Sequence, residues 1–68
     1  AAVREAFAWL DQLHQAEERP ITLAYQAMLA DQLGDNDLRC RKLEAAVTLA
    51  LSRKESAEEW IKMRKGCE

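Results

Sequence analysis

The sequence has few of the residues that build metal sites, phosphate-binding loops and disulfide frameworks: one histidine, two cysteines and two glycines in 68 residues. Cys40 and Cys67 lie far apart with no C-x-x-C motif, and His14 alone cannot complete a four-ligand zinc site with them. The two glycines stand singly, so there is no glycine-rich loop to bind phosphate. His14 has no serine or cysteine close to it in sequence. We therefore expect no metal, no cofactor and no enzyme activity.

Long apolar runs are missing as well. No stretch approaches the roughly 18 apolar residues that a membrane span needs. The first residues do not form a basic segment followed by an apolar core, as a secretion signal would. The chain begins at Ala1 rather than methionine, so we expect it to be trimmed or part of a longer sequence. We expect a cytoplasmic protein in a reducing environment, without contact to a membrane.

In that environment the two cysteines are expected to have separate roles. The flanking Arg39 and Arg41 would activate the Cys40 thiol if it were exposed. Its place on an apolar stripe with Leu43 instead favours an inert, buried thiol. Cys67 lies beyond the last predicted helix, so we expect it to be exposed and able to crosslink two chains on oxidation.

The residues that are abundant predict one small folded domain, residues 1–68. Hydrophobic residues make up 49% of the chain and charged residues 32%, which is enough apolar content to bury a core. Chains of this size that have neither a disulfide framework nor a metal commonly gain stability by associating. We therefore expect a homodimer.

The spacing of apolar residues predicts an all-α bundle of three main helices and a short C-terminal helix, with no strand-like alternation. The first helix, 2–18, has two adjacent apolar stripes. They contain Val3, Ala6, Phe7, Trp9, Leu10, Leu13, His14 and Ala16. So wide an apolar arc is typical of a helix with more than one neighbour. We expect the bundle to self-associate through this arc and that of the third helix.

Pro20 separates the first helix from the second, which is expected from about Ile21 or Thr22 to Leu33, with Gly34 as its left-handed cap. Its apolar side consists of Ile21, Tyr25, Met28, Leu29 and Leu33.

The third helix is expected to begin at the N-cap residues Asp35, Asn36 and Asp37 and to continue through Leu51. Ser56 and Glu59 then form a capping-box pattern. This pattern predicts a short fourth helix from Ala57 that stops at Gly66, and a kink of the third helix near residues 52–55 is the alternative.

Charge is unevenly distributed along the chain. Residues 1–37 carry two basic and seven acidic groups, a net charge of −5, whereas residues 38–68 carry eight basic and five acidic groups, a net charge of +3. Such asymmetry suits a nucleic-acid surface, head-to-tail packing or a charged protein partner. Solvated helix faces would also account for it.

The stretch "LADQLGDNDLRCRKL", 29–43, resembles a helix-turn-helix in outline. Arg39, Arg41 and Lys42 would then contact DNA. A recognition helix presents its N-terminal residues to the bases, and here Asp35 and Asp37 would meet the polyanion. The net charge of −2 for the whole chain also opposes the attraction that supplies non-specific DNA affinity. DNA binding is therefore kept as the alternative.

The main prediction is a protein-interaction module, and a structural or adaptor subunit of a larger assembly is a further alternative. Trp and Arg tend to contribute much of the binding energy of interfaces. The expected interface residues are Phe7, Trp9, Leu10, Leu13, Leu38, Leu49, Trp60, Ile61 and Arg64.

Residues 24–67 resemble a family of small transcription modulators of enterobacteria and phages, the ANR (AraC negative regulator) proteins, and more distantly the PerC-type regulators. The matching pieces are "LGD" at 33–35, "KLEAAVTLA" at 42–50 and "EWIKMRKGC" at 59–67. The sequence departs from the family pattern at Val47, since an aromatic residue follows the paired alanines in the family. The resemblance implies a protein that binds an AraC-type activator of transcription and alters its dimerisation or DNA binding without itself reading DNA.

Overall fold

The computed structural model describes residues 2–67, which fold into four helices: α1 (Ala2–Ala16), α2 (Pro20–Gln32), α3 (Asn36–Ser52) and α4 (Glu58–Met63). No strand occurs in this range. The all-α architecture of three main helices and a short C-terminal one is therefore confirmed, including the separate fourth helix. α2 packs against α1 and α3, and α4 packs against α3.

The core lies between α2 and α3 and consists mostly of alanine. Ala24, Ala27 and Ala30 of α2 and Ala46 and Ala50 of α3 are all buried. The larger members of this core are Leu23, Leu43 and Val47. Small side chains let two helix backbones approach closely, so the contact is tight but buries little apolar area per residue.

The predicted apolar side of α2 does not face this core. Ile21, Tyr25 and Met28 are all exposed, and Leu33 beyond the end of the helix is exposed too. The prediction for α2 is wrong because the alanines on the other side of the helix allow the closer packing against α3. Ile21, Tyr25 and Met28 consequently lie at the surface, whereas Leu23 is buried and Leu29 is half-buried.

α1 lies at the edge of the bundle and has no buried residue. Phe7 and Leu10 are half-buried against the rest of the fold, whereas Trp9 and Leu13 are exposed. The wide apolar arc predicted for α1 is therefore only partly covered within one chain.

Both α2 and α3 end in the same backbone motif, although only one of them ends with glycine. The NH of Asp35 donates to the Ala30 carbonyl, and the NH of Gly34 donates to the Asp31 carbonyl. At the end of α3 the NH of Glu55 donates to Ala50 in the same way, and the NH of Lys54 donates to Leu51. This is the Schellman arrangement, in which one residue adopts left-handed backbone geometry. Gly34 has φ 76° and Lys54 has φ 58°.

The helix starts agree only in part with the sequence. Asp35 caps α3, since its carboxylate accepts a hydrogen bond from the NH of Leu38 at 3.0 Å. The capping box predicted for α4 is wrong, because its N-cap is Ala57 and no side chain caps it. Ala57 is buried against Val47 and Ala50, so packing rather than capping positions this short helix.

Replacing Lys54 with glycine is expected to raise the free energy of unfolding by about 1 kcal/mol, because glycine adopts left-handed geometry without the steric cost of a Cβ atom. The matched variant Gly34→Ala should lower it by a similar amount. A Cβ atom at Gly34 would meet no atom within 4 Å, so only the backbone is tested there. Urea denaturation would measure the change in the free energy of unfolding of each variant. Changes of the same sign in both variants would contradict this account.

Candidate functional site

A shallow apolar groove lies between α1 and α2. We call it the α1–α2 groove; it is lined by Trp9, Leu10, Leu13, Glu17, Arg19, Ile21, Thr22 and Tyr25 and has a volume of about 280 Å³. Trp9 is 62% exposed and Tyr25 is 52% exposed. Two amphipathic aromatic side chains on one small surface are typical of the anchors that dominate protein interfaces.

The predicted interface residues lie in several places. Trp9, Leu10 and Leu13 lie together in the α1–α2 groove. Phe7 and Leu38 line a separate depression. The rest lie on α3 and around α4.

Trp60 is half-buried against the cluster of Val47, Ala50 and Ala57, so it packs inside the chain. Leu49 is also half-buried. Ile61 and Arg64 line a depression beside the two cysteines. The structure therefore distributes the predicted interface residues over several depressions, and Trp60 lines one that also includes Arg19 and Ile21 of the α1–α2 groove.

Ile21 and Tyr25 belong to the α1–α2 groove but were not predicted as interface residues. The sequence assigns them to the apolar side of the second helix, where a packing residue and a binding residue have the same pattern. The run of alanines on the opposite side of α2 is the signal that could have identified them.

Polar contacts position α1 on the edge of the bundle. The buried Gln26 of α2 donates from Nε2 to the Phe7 carbonyl at 3.3 Å and to the Asp11 carboxylate at 3.1 Å. Lys42 of α3 places its Nζ 3.5 Å from Asp11 and 5.4 Å from the centre of the Phe7 ring. Since α1 buries no side chain, these contacts fix the position of the groove wall that carries Trp9.

The contacts among Gln26, Asp11 and Lys42 predict that α1 packs less stably against α2 and α3 at low pH. The hydrogen bond from Gln26 lowers the pKa of the Asp11 carboxyl below its ordinary value; desolvation opposes this, and the Lys42 ammonium adds to it. A carboxyl whose pKa is lower in the folded than in the unfolded state stabilises the fold at pH values above its ordinary pKa of about 4. This stabilisation is lost as the pH falls through the folded-state pKa. The contribution is small because Asp11 is half exposed.

The control is Asp11→Asn, which keeps an acceptor oxygen for Gln26 but has no charge. We expect wild type to be more stable than this variant at neutral pH and the difference to narrow in acid. Urea denaturation across the pH range would measure it. A difference that stays constant with pH would contradict the role of the Asp11 charge.

The three basic residues of the DNA-binding alternative point to different parts of the molecule. The guanidinium of Arg39 donates to the Met63 carbonyl at 3.0 Å and to Asn36 at 2.8 and 3.1 Å. Lys42 faces α1, and Arg41 pairs with Asp37 at 3.6 Å on the open surface. They do not form one basic surface. Within the stretch 29–43, Ala30 and Leu43 are buried, whereas Leu33 at the turn is exposed.

Cys40 and Cys67 form a disulfide bond, with their Cα atoms 5.5 Å apart. The predictions of an inert free thiol at Cys40 and of an exposed, crosslinking thiol at Cys67 are wrong. The fold brings the segment after α4 back to α3, which the sequence spacing does not reveal. A disulfide also supplies the kind of stabilisation whose absence motivated the predicted homodimer.

Comparison with the models of known protein families, with curated proteins and with solved structures finds no match. Within residues 2–67, no group of three or more His, Cys, Asp or Glu side chains could hold a metal ion. None of the helices in this part of the chain is long and apolar enough to cross a membrane.

Proposed function

We propose that the protein binds another protein through the α1–α2 groove, and that the bound element is an amphipathic helix with basic residues beside its apolar face. The observation that supports this is the pair of Trp9 and Tyr25, both more than half exposed in one groove. A groove between two helices fits the apolar face of a third helix. Covering the groove would remove apolar surface from water, which supplies the driving force.

The basic flanks follow from the charge around the groove. The chain up to residue 37 carries a net charge of −5. The two charged residues that line the groove, Glu17 and Arg19, pair with each other at 2.7 Å. In the described part of α1 and the segment after it, Glu5 and Glu18 make no ion pair. These carboxylates favour a cationic partner and raise its rate of association.

The same charges disfavour the predicted homodimer at this groove. A two-fold symmetric contact uses the same surface on both chains, so the net negative charge of residues 1–37 would face its own copy. Of the third-helix arc that we expected to share in this contact, Leu43, Val47 and Ala50 are buried within the single chain, whereas Leu51 is exposed. A different protein is therefore the better occupant.

The resemblance to the ANR modulators makes an AraC-type activator of transcription the first partner to test. The engagement of Arg39 and Lys42 within the chain supports this assignment over direct DNA binding. Sub-micromolar, salt-sensitive binding to duplex DNA in an anisotropy titration, lost when Arg39, Arg41 and Lys42 are replaced by alanine, would instead favour the DNA alternative.

The disulfide restricts the cellular compartments in which this binding can take place. Disulfides persist in oxidising compartments, and in the cytosol they are usually transient, catalytic or redox-sensing. The proposed cytoplasmic setting is therefore consistent with the bond only if cellular thiols open and close it.

The test of the proposed function is a photo-crosslinking residue at Leu13, on the rim of the groove, with Thr48 as the matched exposed position on α3. We expect a covalent adduct with a different protein at Leu13 and none at Thr48. Unlabelled wild-type protein should compete with adduct formation, whereas Tyr25→Asp should not.

Two outcomes would contradict the proposal. An adduct of only two copies of this chain would assign the groove to self-association. No adduct at Leu13, or equal adducts at Leu13 and Thr48, would mean that the groove binds no protein. Mass spectrometry of the adduct distinguishes all of these results.

A further inference from the structure

The Cys40–Cys67 disulfide is in contact with the guanidinium of Arg39. Nη2 of Arg39 lies 3.5 Å from Sγ of Cys67 and 3.7 Å from Sγ of Cys40. The same guanidinium donates to the Met63 carbonyl at the end of α4. One positively charged group thus contacts both sulfurs and the helix that the disulfide fastens.

The two sulfurs also lie in the wall of an open depression. We call it the sulfur groove; it has a volume of about 420 Å³ and is lined by Cys40, Glu44, Ile61, Arg64, Lys65 and Cys67. Arg64 and Lys65 outnumber the single carboxylate of Glu44, and Arg39 adds its charge from behind the sulfurs. The groove is therefore cationic at neutral pH and large enough for a small molecule.

We propose that the sulfur groove is a site of thiol–disulfide exchange, in which a small anionic thiol binds, opens the Cys40–Cys67 bond and releases α4 from α3. The carboxylates of such a thiol would pair with Arg64 and Lys65, which brings its sulfur close to Cys67. This function is independent of the α1–α2 groove.

The exchange needs two thiolates and no other reagent. The first attacks Sγ of Cys67, a new S–S bond forms there, and the Cys40–Cys67 bond breaks with its electron pair on Cys40. Arg39 stabilises the departing Cys40 thiolate, and a more stable thiolate leaves faster. The second thiolate attacks the small-molecule sulfur of the mixed disulfide, so that a small-molecule disulfide forms and Cys67 leaves as a thiolate. Two small thiols are oxidised, and one protein disulfide is reduced.

Few other contacts hold α4 in place. Its six residues include none that is buried. Trp60 packs half-buried against the cluster of Val47, Ala50 and Ala57, and Arg39 bonds to Met63. Once the disulfide is open, non-covalent contacts such as these must hold α4. We therefore expect α4 to separate and to expose Val47 and Ala50.

The test measures how fast the disulfide of the folded protein opens in reduced glutathione, which is anionic, and in cysteamine, which is cationic. The two thiols are compared at equal thiolate concentrations. Thiol labelling and mass spectrometry give the rate of opening. In a Trp9→Phe background, the fluorescence emission of Trp60 reports whether α4 stays packed on α3. We expect opening in millimolar glutathione within minutes, a slower reaction with cysteamine, and a red shift of Trp60 emission that follows reduction.

Arg39→Ala should slow the opening by roughly fivefold or more, because the leaving thiolate loses its cation. Arg39→Lys keeps the charge and should restore most of the rate, which separates electrostatics from loss of folding. Arg41→Ala, at an exposed position that does not contact the sulfurs, should react like wild type.

Three results would overturn the proposal. A bond that resists millimolar glutathione for hours in the folded protein is a permanent structural disulfide. Equal rates for Arg39→Ala and Arg41→Ala would remove the role of the cation. Trp60 emission that does not change on full reduction would mean that the bond does not control α4.

Discussion

Replacing both Cys40 and Cys67 with serine is expected to lower the free energy of unfolding by about 3.5 kcal/mol. The bond joins residues 27 positions apart, and for a loop of this length the lost entropy of the unfolded chain corresponds to about that value. For a small domain this is a large share of the total stability. Urea denaturation of oxidised wild type and of the double variant would measure the difference.

Wild type kept reduced throughout provides the matched control and should be destabilised to the same extent as the double variant. The helices α1, α2 and α3 should keep their circular dichroism signal at low urea, since the disulfide does not touch their main contacts. A double variant within about 0.5 kcal/mol of oxidised wild type, the usual scatter for surface substitutions, would show that the bond constrains nothing.

Replacing Trp9 with alanine is expected to weaken binding of the partner identified by crosslinking by at least about 2 kcal/mol, roughly thirtyfold in Kd. The reason is that an aromatic anchor covered by a partner contributes both buried apolar area and shape complementarity to the binding free energy. Tyr25→Ala should have an effect of the same order. Isothermal titration calorimetry would measure both.

The stability of the chain should hardly change in these variants, because Trp9 is 62% exposed without the partner. Leu51→Ala is the matched control, since Leu51 is 58% exposed on α3 and lies outside the groove. Its affinity should equal that of wild type. If Trp9→Ala and Leu51→Ala bind equally well, the α1–α2 groove is not the interface.

The order and the type of the helices could be predicted because local signals determine them. Pro20 restricts the backbone before it, Gly34 adopts left-handed geometry, and Asp35 caps the next helix, and each of these effects acts within one turn. Lys54 repeats the geometry of Gly34 without being glycine, so the end of α3 has no comparable signal in the sequence.

The face by which α2 packs could not be predicted, since it depends on the partner helix. A hydrophobicity pattern ranks Tyr25 and Met28 above Ala24 and Ala27. The structure buries the alanines because they permit a shorter distance between α2 and α3. The α1 side of the groove could therefore be predicted, since Trp9 and Leu13 belong to a predicted apolar stripe. The α2 side of the groove could not.

The disulfide was missed for a different reason. Two cysteines separated by a helix, a loop and another helix can meet only if the loop turns the chain back, and neither spacing nor composition fixes that direction. The left-handed backbone of Lys54 makes this reversal possible. The contact between Arg39 and the two sulfurs follows from the same reversal and was equally invisible in the sequence.

The disulfide also determines how the molecule responds to a mechanical load. A force that pulls on residues 2 and 67 passes from Cys40 directly through the sulfurs to Cys67. The segment 41–66, with most of α3 and all of α4, bears no tension while the bond is intact. The stretched chain then reaches only about 140 Å, against about 230 Å after reduction, at roughly 3.5 Å for each residue under load. The contacts of α2 with α1 and with α3 thus bear the load when the protein is pulled or threaded from its N-terminal end, whereas the contact between α3 and α4 is protected.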